Sequence, residues 1–441
     1  MKIRSHFIIV ALVFASLSNG FSQERTTDFL NDRQLSALVD SLCQSLKTYY
    51  VYPDKATDMA EFLNAQLKRD VYKKYKTPTE LAYKLGSDIA HTYPDAHMQI
   101  VFEPGLRPPK ELSLAEQKEA YQEQLAAERE NNFNLKKVEI LPGNIGYFRF
   151  DGFTHYIEEA KPTVFAALSF LSNTKALILD LRFNGGGSTI TQFSSYFFKQ
   201  KTHLYDQVST ISKDTLAFNT DPSSTDNLAL LMPIYILTSK NTASAAEAFA
   251  SSMQALNRAV VIGDTTQGAS HFTGFFPLGQ GFIAKIPFAR PVNTATFKDW
   301  ERVGVIPDFM APAPKALQKA QESILKELLS KAKSEKEKRA ITWGIHTLKA
   351  EEVNVNPPTS VLSNYIGTFS GGICFYVEEG ELLCKNPERG GTDTFKLKAV
   401  TSHIFLLDEN AQVEFVKDAS GHYSSLNLLW KDGNITKKIK E

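Results

Sequence analysis

Cysteine, excess charge of one sign and long apolar runs are all scarce in this chain of 441 residues. None of its three cysteines stands in a C-x-x-C or Cys/His spacing, so a structural zinc site is not expected. Lys plus Arg and Asp plus Glu number 49 each, and this neutral balance gives no sign of nucleic-acid binding. The chain is still 43% apolar, which excludes global disorder and collagen-like order.

The most apolar stretch lies at the start of the chain. Lys2 and Arg4 precede residues 7–17, a run that is too short to span a bilayer but typical of a signal-peptide core. We therefore predict a signal peptide over residues 1–23 and an exported bacterial protein, periplasmic or extracellular, with no membrane span after cleavage. A retained membrane anchor is the alternative.

An exported protein can form disulfides, and Cys374 and Cys384 flank a predicted hairpin turn at Glu379-Gly380. A turn with two loop residues would place the two cysteines out of direct register. The sequence leaves this bridge open.

Periodicity divides the rest of the chain into four parts. We predict a helical N-terminal domain (24–103), a helical linker (104–137), a core (138–345) and a small all-β domain (360–441). In the core, buried strands alternate with helices, which predicts an α/β fold with a mostly parallel sheet and right-handed crossovers. Thr77-Pro78-Thr79-Glu80 has the pattern of a helix capping box.

Two loops follow buried strands of the core, at the sheet edge where α/β proteins bind ligands. Asn184-Gly185-Gly186-Gly187 offers unobstructed N–H groups for a phosphate or an oxyanion, although P-loop spacing and its lysine are missing. In the second loop, Ser244 begins a helix directly after a strand, as a nucleophile on a sharp turn would. Taken alone, a serine here is more often a helix N-cap.

Four segments in order resemble the S41 serine-peptidase family, which includes carboxyl-terminal processing proteases, the tricorn protease and the interphotoreceptor retinoid-binding protein repeats. They are Leu177-Ile178-Leu179-Asp180-Leu181-Arg182-Phe183-Asn184-Gly185-Gly186-Gly187, Leu237-Thr238-Ser239 with Ser244-Ala245-Ala246-Glu247, Gly263-Asp264-Thr265-Thr266, and Val303-Gly304-Val305-Ile306-Pro307-Asp308.

The resemblance implies a ClpP/crotonase-like core and a serine peptidase that needs no metal or cofactor. It implies that Ser244 is the nucleophile and that the N–H groups of Gly186 and Ala245 form the oxyanion hole. Gly185 and Gly187 are expected to bind substrate.

Processing proteases of this family use a lysine as the base, but Ala269 occupies that position here. The tricorn-like branch instead uses a histidine from before the core, and Asp95-Ala96-His97 is similar to its D-x-H pattern. The resemblance therefore implies His97 as the base and Glu301 as the acid that orients it. Tricorn has a serine where this chain has Ala96, so only a triad is expected.

Three further side chains enter as alternatives. His271 lies near the same sheet edge as a rival base or, as we favour, a substrate-binding residue. Lys240 and Lys285 could replace the missing lysine, but we expect both to point to solvent. Residues 104–141 are too few for the PDZ domain that processing proteases carry there, so specificity is expected to reside in the cleft.

The sequence thus predicts an exported serine endopeptidase that cleaves peptides or partly unfolded proteins through an acyl-enzyme intermediate. Its partner is the peptide or protein substrate, with no nucleic acid. The alternative from another class is a protein that binds apolar small molecules on the same scaffold, with a vestigial site. The C-terminal β domain on its own could be an interaction module.

Overall fold

A computed structural model describes residues 30–103, 113–188, 190–352, 354–389 and 394–441. The predicted signal peptide, residues 1–23, lies outside the described residues. The α-helices are α1 (Asp32–Tyr49), α2 (Pro53–Lys68), α3 (Pro78–Thr92), α4 (Leu114–Glu130), α5 (Ile157–Phe170), α6 (Thr191–Ser195), α7 (Ala245–Ala255), α8 (Ala313–Lys331), α9 (Glu335–Glu352) and α10 (Thr359–Leu362).

The strands fall into two groups along the chain. Those up to the end of the core are β1 (Gln99–Phe102), β2 (Leu135–Leu141), β3 (Ile145–Phe150), β4 (Ala176–Asp180), β5 (His203–Ser209), β6 (Thr215–Asn219), β7 (Ile234–Thr238), β8 (Ala259–Gly263), β9 (Phe272–Gly279), β10 (Phe282–Asn293) and β11 (Phe309–Met310). Those of the C-terminal region are β12 (Gly367–Phe369), β13 (Ile373–Glu378), β14 (Glu381–Lys385), β15 (Thr394–Lys396), β16 (Lys398–Ala399), β17 (Ile404–Leu406), β18 (Ala411–Lys417), β19 (Tyr423–Trp430) and β20 (Ile435–Ile439).

The central sheet is the predicted parallel sheet. Its strand order is β11-β8-β7-β4-β3-β2, and every neighbouring pair is parallel except β2 with β3. One apolar cluster, around Leu179 and Phe249, covers one face, and a second, around Ile178 and Ile324 of α8, covers the other. Burial on both faces is why strands β4 and β7 are apolar throughout. The α/β prediction is confirmed.

A second, antiparallel sheet was not predicted from the sequence. Its order is β1-β10-β5-β6, with β9 also paired to β10. Helices α1 to α3 pack on this sheet, since Leu42 and Leu85 share one cluster with Phe282 and Ile286 of β10. The helical N-terminal region is therefore joined to the core, and the β1–β10 ladder brings the segment around residue 97 to it.

The N-terminal helices begin at specific caps. Asn31 closes a capping box with Gln34 before α1, and Thr77 closes the predicted one with Glu80 before α3. These reciprocal bonds satisfy N–H groups that the first turn leaves without partners. The capping box at Thr77 is confirmed.

The C-terminal region contains two antiparallel sheets, β12-β13-β14-β15 and β16-β17-β18-β19-β20, as the all-β prediction requires. In the β13–β14 hairpin, Cys374 pairs with Lys385 and Cys384 pairs with Phe375. This offset of one residue points the two cysteine side chains to opposite faces of the sheet. Both thiols are free, as is that of Cys43.

One helix was not predicted from the sequence: α9 is a full helix that the charged sequence after residue 334 did not reveal. Across the described ranges, no helix combines the length and hydropathy needed to cross a membrane.

Candidate active site

Ser244 stands on a strained turn between β7 and α7. Its backbone adopts φ 51° and ψ −120°, a conformation that L-residues rarely adopt, whereas an ordinary N-cap residue is extended. The Ser244 N–H is held twice, by the carboxylate of Glu247 at 3.0 Å and by the carbonyl of Ala269 at 3.1 Å. The turn is therefore fixed by its neighbours in a shape that presents the serine at the carboxyl edge of the sheet.

The glycine loop lies directly against this serine. A Cβ atom on Gly186, whose φ is 102°, would stand 2.7 Å from the Cβ of Ser244 and 2.9 Å from the nitrogen of Ala245. Buried Asn184 fixes the loop, since its Nδ2 donates to the carbonyl of Phe150 at 3.0 Å and its Oδ1 accepts the Gly186 N–H at 2.9 Å. Only glycine allows this close approach.

The predicted oxyanion donors differ in availability. The N–H of Ala245 is the first of helix α7 and has no backbone acceptor within the described part of the chain. The N–H of Gly186 is donated to Asn184 instead. Gly185 is exposed, and Gly187 forms a β-bridge with Phe153 so close that a Cβ on it would lie 2.0 Å from that residue's carbonyl oxygen.

Glu247 joins the serine turn to residues 266–269, a role that we did not predict. One carboxylate oxygen accepts the Thr266 hydroxyl and the Gly268 N–H, and the other accepts the N–H groups of Ser244 and Ala269. Burial raises the pKa of this carboxyl, and the four donors act in the opposite direction. The S-x-x-E spacing from Ser244 was the sequence signal that could have indicated it.

His97 and Glu301 meet beneath the same edge. Nδ1 of His97 and Oε1 of Glu301 are buried atoms without a hydrogen-bond partner in the described structure, and one ligating atom of each lies within 4.8 Å of the other. Burial lowers the pKa of His97 to about 4, which leaves its ring neutral at neutral pH. Burial also raises the pKa of Glu301, which His271 partly offsets.

Neither histidine hydrogen-bonds to the serine hydroxyl in this conformation, within the residues described. The serine and the acid are nevertheless close along the 266–271 loop. The Ala269 carbonyl accepts the Ser244 N–H, and the next residue, Ser270, donates its N–H to Glu301 at 2.7 Å. Contacts between catalytic groups are often loose in an unliganded enzyme and tighten with substrate.

His271, expected to bind substrate, is instead completely buried. Its Nδ1 lies 2.8 Å from Asp95 and 3.6 Å from Glu301, and its Nε2 lies 3.3 Å from the hydroxyl of Tyr52. The side chains of His271 and Asp95 have no exposed surface. Although burial opposes ionisation of Asp95, the hydrogen bond and charge of His271 lower its pKa. In this conformation His271 contacts protein groups and not the cleft.

Asp95, His97 and Glu301 could together offer three ligands to a metal ion. Lys285 opposes a cation at this position, because its ammonium is close enough to act on both Asp95 and His97. We expected this lysine to point to solvent, but it is half-buried, and burial lowers its pKa. Lys240 is exposed, as expected.

Fold and site together define an α/β protein that presents a serine on a strained strand-to-helix turn beside a glycine loop. Residues 144–311 match the model of Peptidase family S41. This region of the chain belongs to peptidase family S41.

Two curated relatives show the same family resemblance. The chain is 31% identical over 193 residues to "Carboxyl-terminal-processing peptidase 2, chloroplastic" of Arabidopsis thaliana, which covers 42% of this chain and 36% of that protein. It is 26% identical over 172 residues to "Carboxyl-terminal-processing protease" of Picosynechococcus sp. (strain ATCC 27264 / PCC 7002 / PR-6), which covers 38% of this chain and 39% of that protein. The matched region thus spans less than two fifths of each relative.

Among solved structures, the photosystem II D1 C-terminal processing protease is 14% identical, with a TM-score of 0.45. The match covers 65% of this chain and 94% of that one. The tricorn protease gives 15% identity and a TM-score of 0.43, covering 69% of this chain and 37% of that one.

Proposed function

We propose that this protein is an exported serine endopeptidase that cleaves peptides or partly unfolded proteins through an acyl-enzyme intermediate. The observation that carries the proposal is the backbone of Ser244. A non-glycine residue held at φ 51° and ψ −120° by two hydrogen bonds is strained, and such strain concentrates at functional sites. Ser244 lies within residues 144–311, which match Peptidase family S41, and this match supports the same function.

In this mechanism His97 is the general base and Glu301 orients it. The Ser244 hydroxyl oxygen attacks the peptide carbonyl carbon while its proton passes to His97, and the C–N bond then breaks as His97 returns the proton to the leaving amine. Water attacks the acyl-enzyme in the same way, which releases the acid and restores the serine. Two observations support this pairing: His97 Nδ1 and Glu301 Oε1 are buried without a hydrogen-bond partner among the described residues, and one ligating atom of each residue lies within 4.8 Å of the other.

The oxyanion that forms on the attacked carbonyl needs donors aimed at it. The unengaged N–H of Ala245 is suited to be the first donor, since it belongs to the residue after the nucleophile at a positive helix end. The glycine loop supplies the second. If that donor is Gly186, its N–H must leave Asn184 when substrate binds.

Labelling with a fluorophosphonate probe tests this function directly. We expect the probe to modify Ser244 of the wild-type chain, and Ser244→Ala to abolish both labelling and peptide hydrolysis. Ser251→Ala is the matched control on the same helix and should still be labelled. A folded Ser244→Ala variant that hydrolyses peptides at the wild-type rate would refute the proposal.

An apolar cavity favours the second candidate, the binding of an apolar small molecule. It is partly open to solvent, and apolar side chains make up most of its lining, including Phe133, Phe150, Phe153 and Phe193. A fluorescent fatty-acid probe that binds with micromolar affinity, together with no fluorophosphonate labelling of Ser244, would favour this function over proteolysis.

A further inference from the structure

One buried histidine has no part in the mechanism above. His271 has no exposed side-chain surface, and both of its ring nitrogens face protein groups, Asp95 at Nδ1 and Tyr52 at Nε2. Buried ionisable side chains are uncommon unless paired, so this arrangement calls for a physical reason.

Asp95, the partner of His271, holds the turn that carries the proposed base. Its Oδ1 accepts the backbone N–H of His97 at 2.9 Å. Its Oδ2 accepts the hydroxyl of Tyr50 at 3.0 Å and faces Nδ1 of His271 at 2.8 Å. With Oδ2 bonded on both sides, the carboxylate cannot rotate without breaking three bonds. The position of the His97 backbone is therefore set by Asp95.

His271 also belongs to the loop that touches the other two members of the triad. Two residues earlier, the Ala269 carbonyl accepts the Ser244 N–H, and between them Ser270 donates to Glu301. The bond from His271 to Asp95 thus connects the loop beside the serine and the acid to the turn that carries the histidine. It joins residues 176 positions apart in the sequence.

Tyr52 closes the other end of the network. Its hydroxyl donates to Asp299 at 2.9 Å, and Asp299 in turn accepts the N–H of Glu301 at 3.1 Å. The ring of Tyr52 packs edge-on against that of His271, with 5.4 Å between the ring centroids. The ring of His271 is therefore held at both nitrogens, which keeps its Nδ1 directed at Asp95.

We propose that His271 is a positioning residue, which acts through Asp95 to place His97 in line with Ser244. The inference rests on the proposed peptidase function and on His97 being its base. His271 takes no proton from the serine. Its bond to Asp95 fixes where the base stands, and misplacing a catalytic group by about 1 Å can cost about 100-fold in rate.

Two substitutions of His271 separate this role from others. Asparagine carries an amide N–H near the position of the imidazole Nδ1, so His271→Asn keeps a donor to Asp95. Glutamine reaches the position of Nε2, so His271→Gln keeps a partner for Tyr52 and loses the bond to Asp95. We expect His271→Gln to lower kcat about 100-fold with KM within twofold, and His271→Asn to retain kcat within about threefold.

His346→Gln is the matched control. This histidine is also partly buried, and its Nδ1 lies 3.0 Å from Gln412. It belongs to α9, however, and faces the C-terminal strand β18. Its substitution should leave kcat unchanged. Circular dichroism of each variant reports whether it is folded, and fluorophosphonate labelling of Ser244 in the wild-type chain reports whether the peptidase proposal itself holds.

Each outcome decides the question. Equal kcat values for His271→Asn and His271→Gln, whether both near wild type or both abolished, would overturn the positioning role, and joint abolition would identify His271 as the base. A wild-type chain with neither labelling nor hydrolysis would refute the peptidase function instead. If His271→Gln does not fold, Asp95→Asn replaces it, with an expected loss in kcat of at least about tenfold; an unchanged kcat would contradict the inference.

Discussion

The candidate active site and the C-terminal sheets are built in opposite ways. Around Ser244, buried carboxylates and imidazoles are packed together, and the side chains of Asp95, Glu301 and His271 are at most 2% exposed. The C-terminal sheets enclose a core of packed aromatic rings, in which Tyr365 and Phe415 stack with centroids 4.2 Å apart. Burying a charged group lowers the stability of the fold unless the charge is paired, whereas burying aromatic surface raises the stability.

The two regions also differ in how they use the chain. The C-terminal core is drawn from one contiguous segment of mostly neighbouring strands. The site draws His97, Ser244 and Glu301 from three distant segments that meet only through tertiary contacts. We therefore expect substitutions in the site to change activity more than stability, and substitutions in the C-terminal core to do the reverse.

Removing one negative charge from each region is expected to give the largest difference in kcat between the two regions. Glu301→Gln should lower kcat about 10⁴-fold, because a neutral amide cannot stabilise the protonated base and favours the wrong tautomer. Glu414→Gln is the control in the C-terminal sheets, where the carboxylate accepts one bond from Asn427. Peptide hydrolysis by the two purified variants measures this, and comparable kcat values would remove Glu301 from the triad.

Truncation of a core ring reverses the pattern. Phe415 is 2% exposed and contacts the rings of Tyr365, Phe369 and Phe375, so Phe415→Ala should destabilise the C-terminal sheets by about 4 kcal/mol. Because this core lies apart from the site, kcat should stay within twofold at temperatures where the variant is folded. Urea denaturation and hydrolysis test both parts. A large loss of kcat in the folded variant would mean that the two regions are coupled.

Glu247 is the one site residue expected to affect both properties. In Glu247→Gln one oxygen becomes an NH₂ group, which faces either the N–H groups of Ser244 and Ala269 or the Gly268 N–H and the Thr266 hydroxyl, so at least one buried N–H loses its acceptor. We expect a loss of about 3 kcal/mol in the free energy of unfolding and about tenfold in kcat, as the serine turn loosens. The denaturation midpoint and the labelling rate of Ser244 measure the two effects; an unchanged labelling rate would limit Glu247 to a structural role.

The dependence of Ser244 labelling on pH is expected to be a smaller and gradual effect. Burial lowers the pKa of His97 to about 4, so the folded protein keeps the neutral base down to that pH. The rate of Ser244 labelling should therefore fall with a midpoint near pH 4 and not near 6.5. The unfolded chain protonates this histidine at higher pH than the folded chain, so its contribution to stability is lost as pH falls from about 6.5 towards 4. A labelling midpoint near 6.5 would place the base in a solvated position.

The positions of Ser244 and the glycine loop could be predicted from the sequence, whereas the position of His97 could be predicted only in outline. Ser244 and the glycine loop follow apolar strands, so the order of a parallel sheet brings them together. The second sheet was missed because β5 and β6 carry polar residues with no clear alternation, and without it the location of residue 97 could not be derived. His97 was indicated by family resemblance alone.

The hydrogen bonds of the buried network behind His97 could not be derived from the sequence. Tyr50, Asp95 and His271 come from three segments, and their hydrogen bonds depend on side-chain directions that spacing does not determine. The burial of His271 was missed for this reason. Glu247 differs, because its capping-box spacing from Ser244 lies within one helical turn and could have been used.

The strained backbone of Ser244 means that activity and stability favour different residues at this position. At φ 51° and ψ −120° glycine is the residue of lowest conformational energy, so Ser244→Gly should unfold at a higher temperature than Ser244→Ala, by about 1 kcal/mol in free energy. Both variants lack the hydroxyl, so calorimetry of this pair isolates the backbone. Under the proposed function, the most stable residue at this position is then an inactive one, and selection for stability alone would favour loss of the proposed nucleophile.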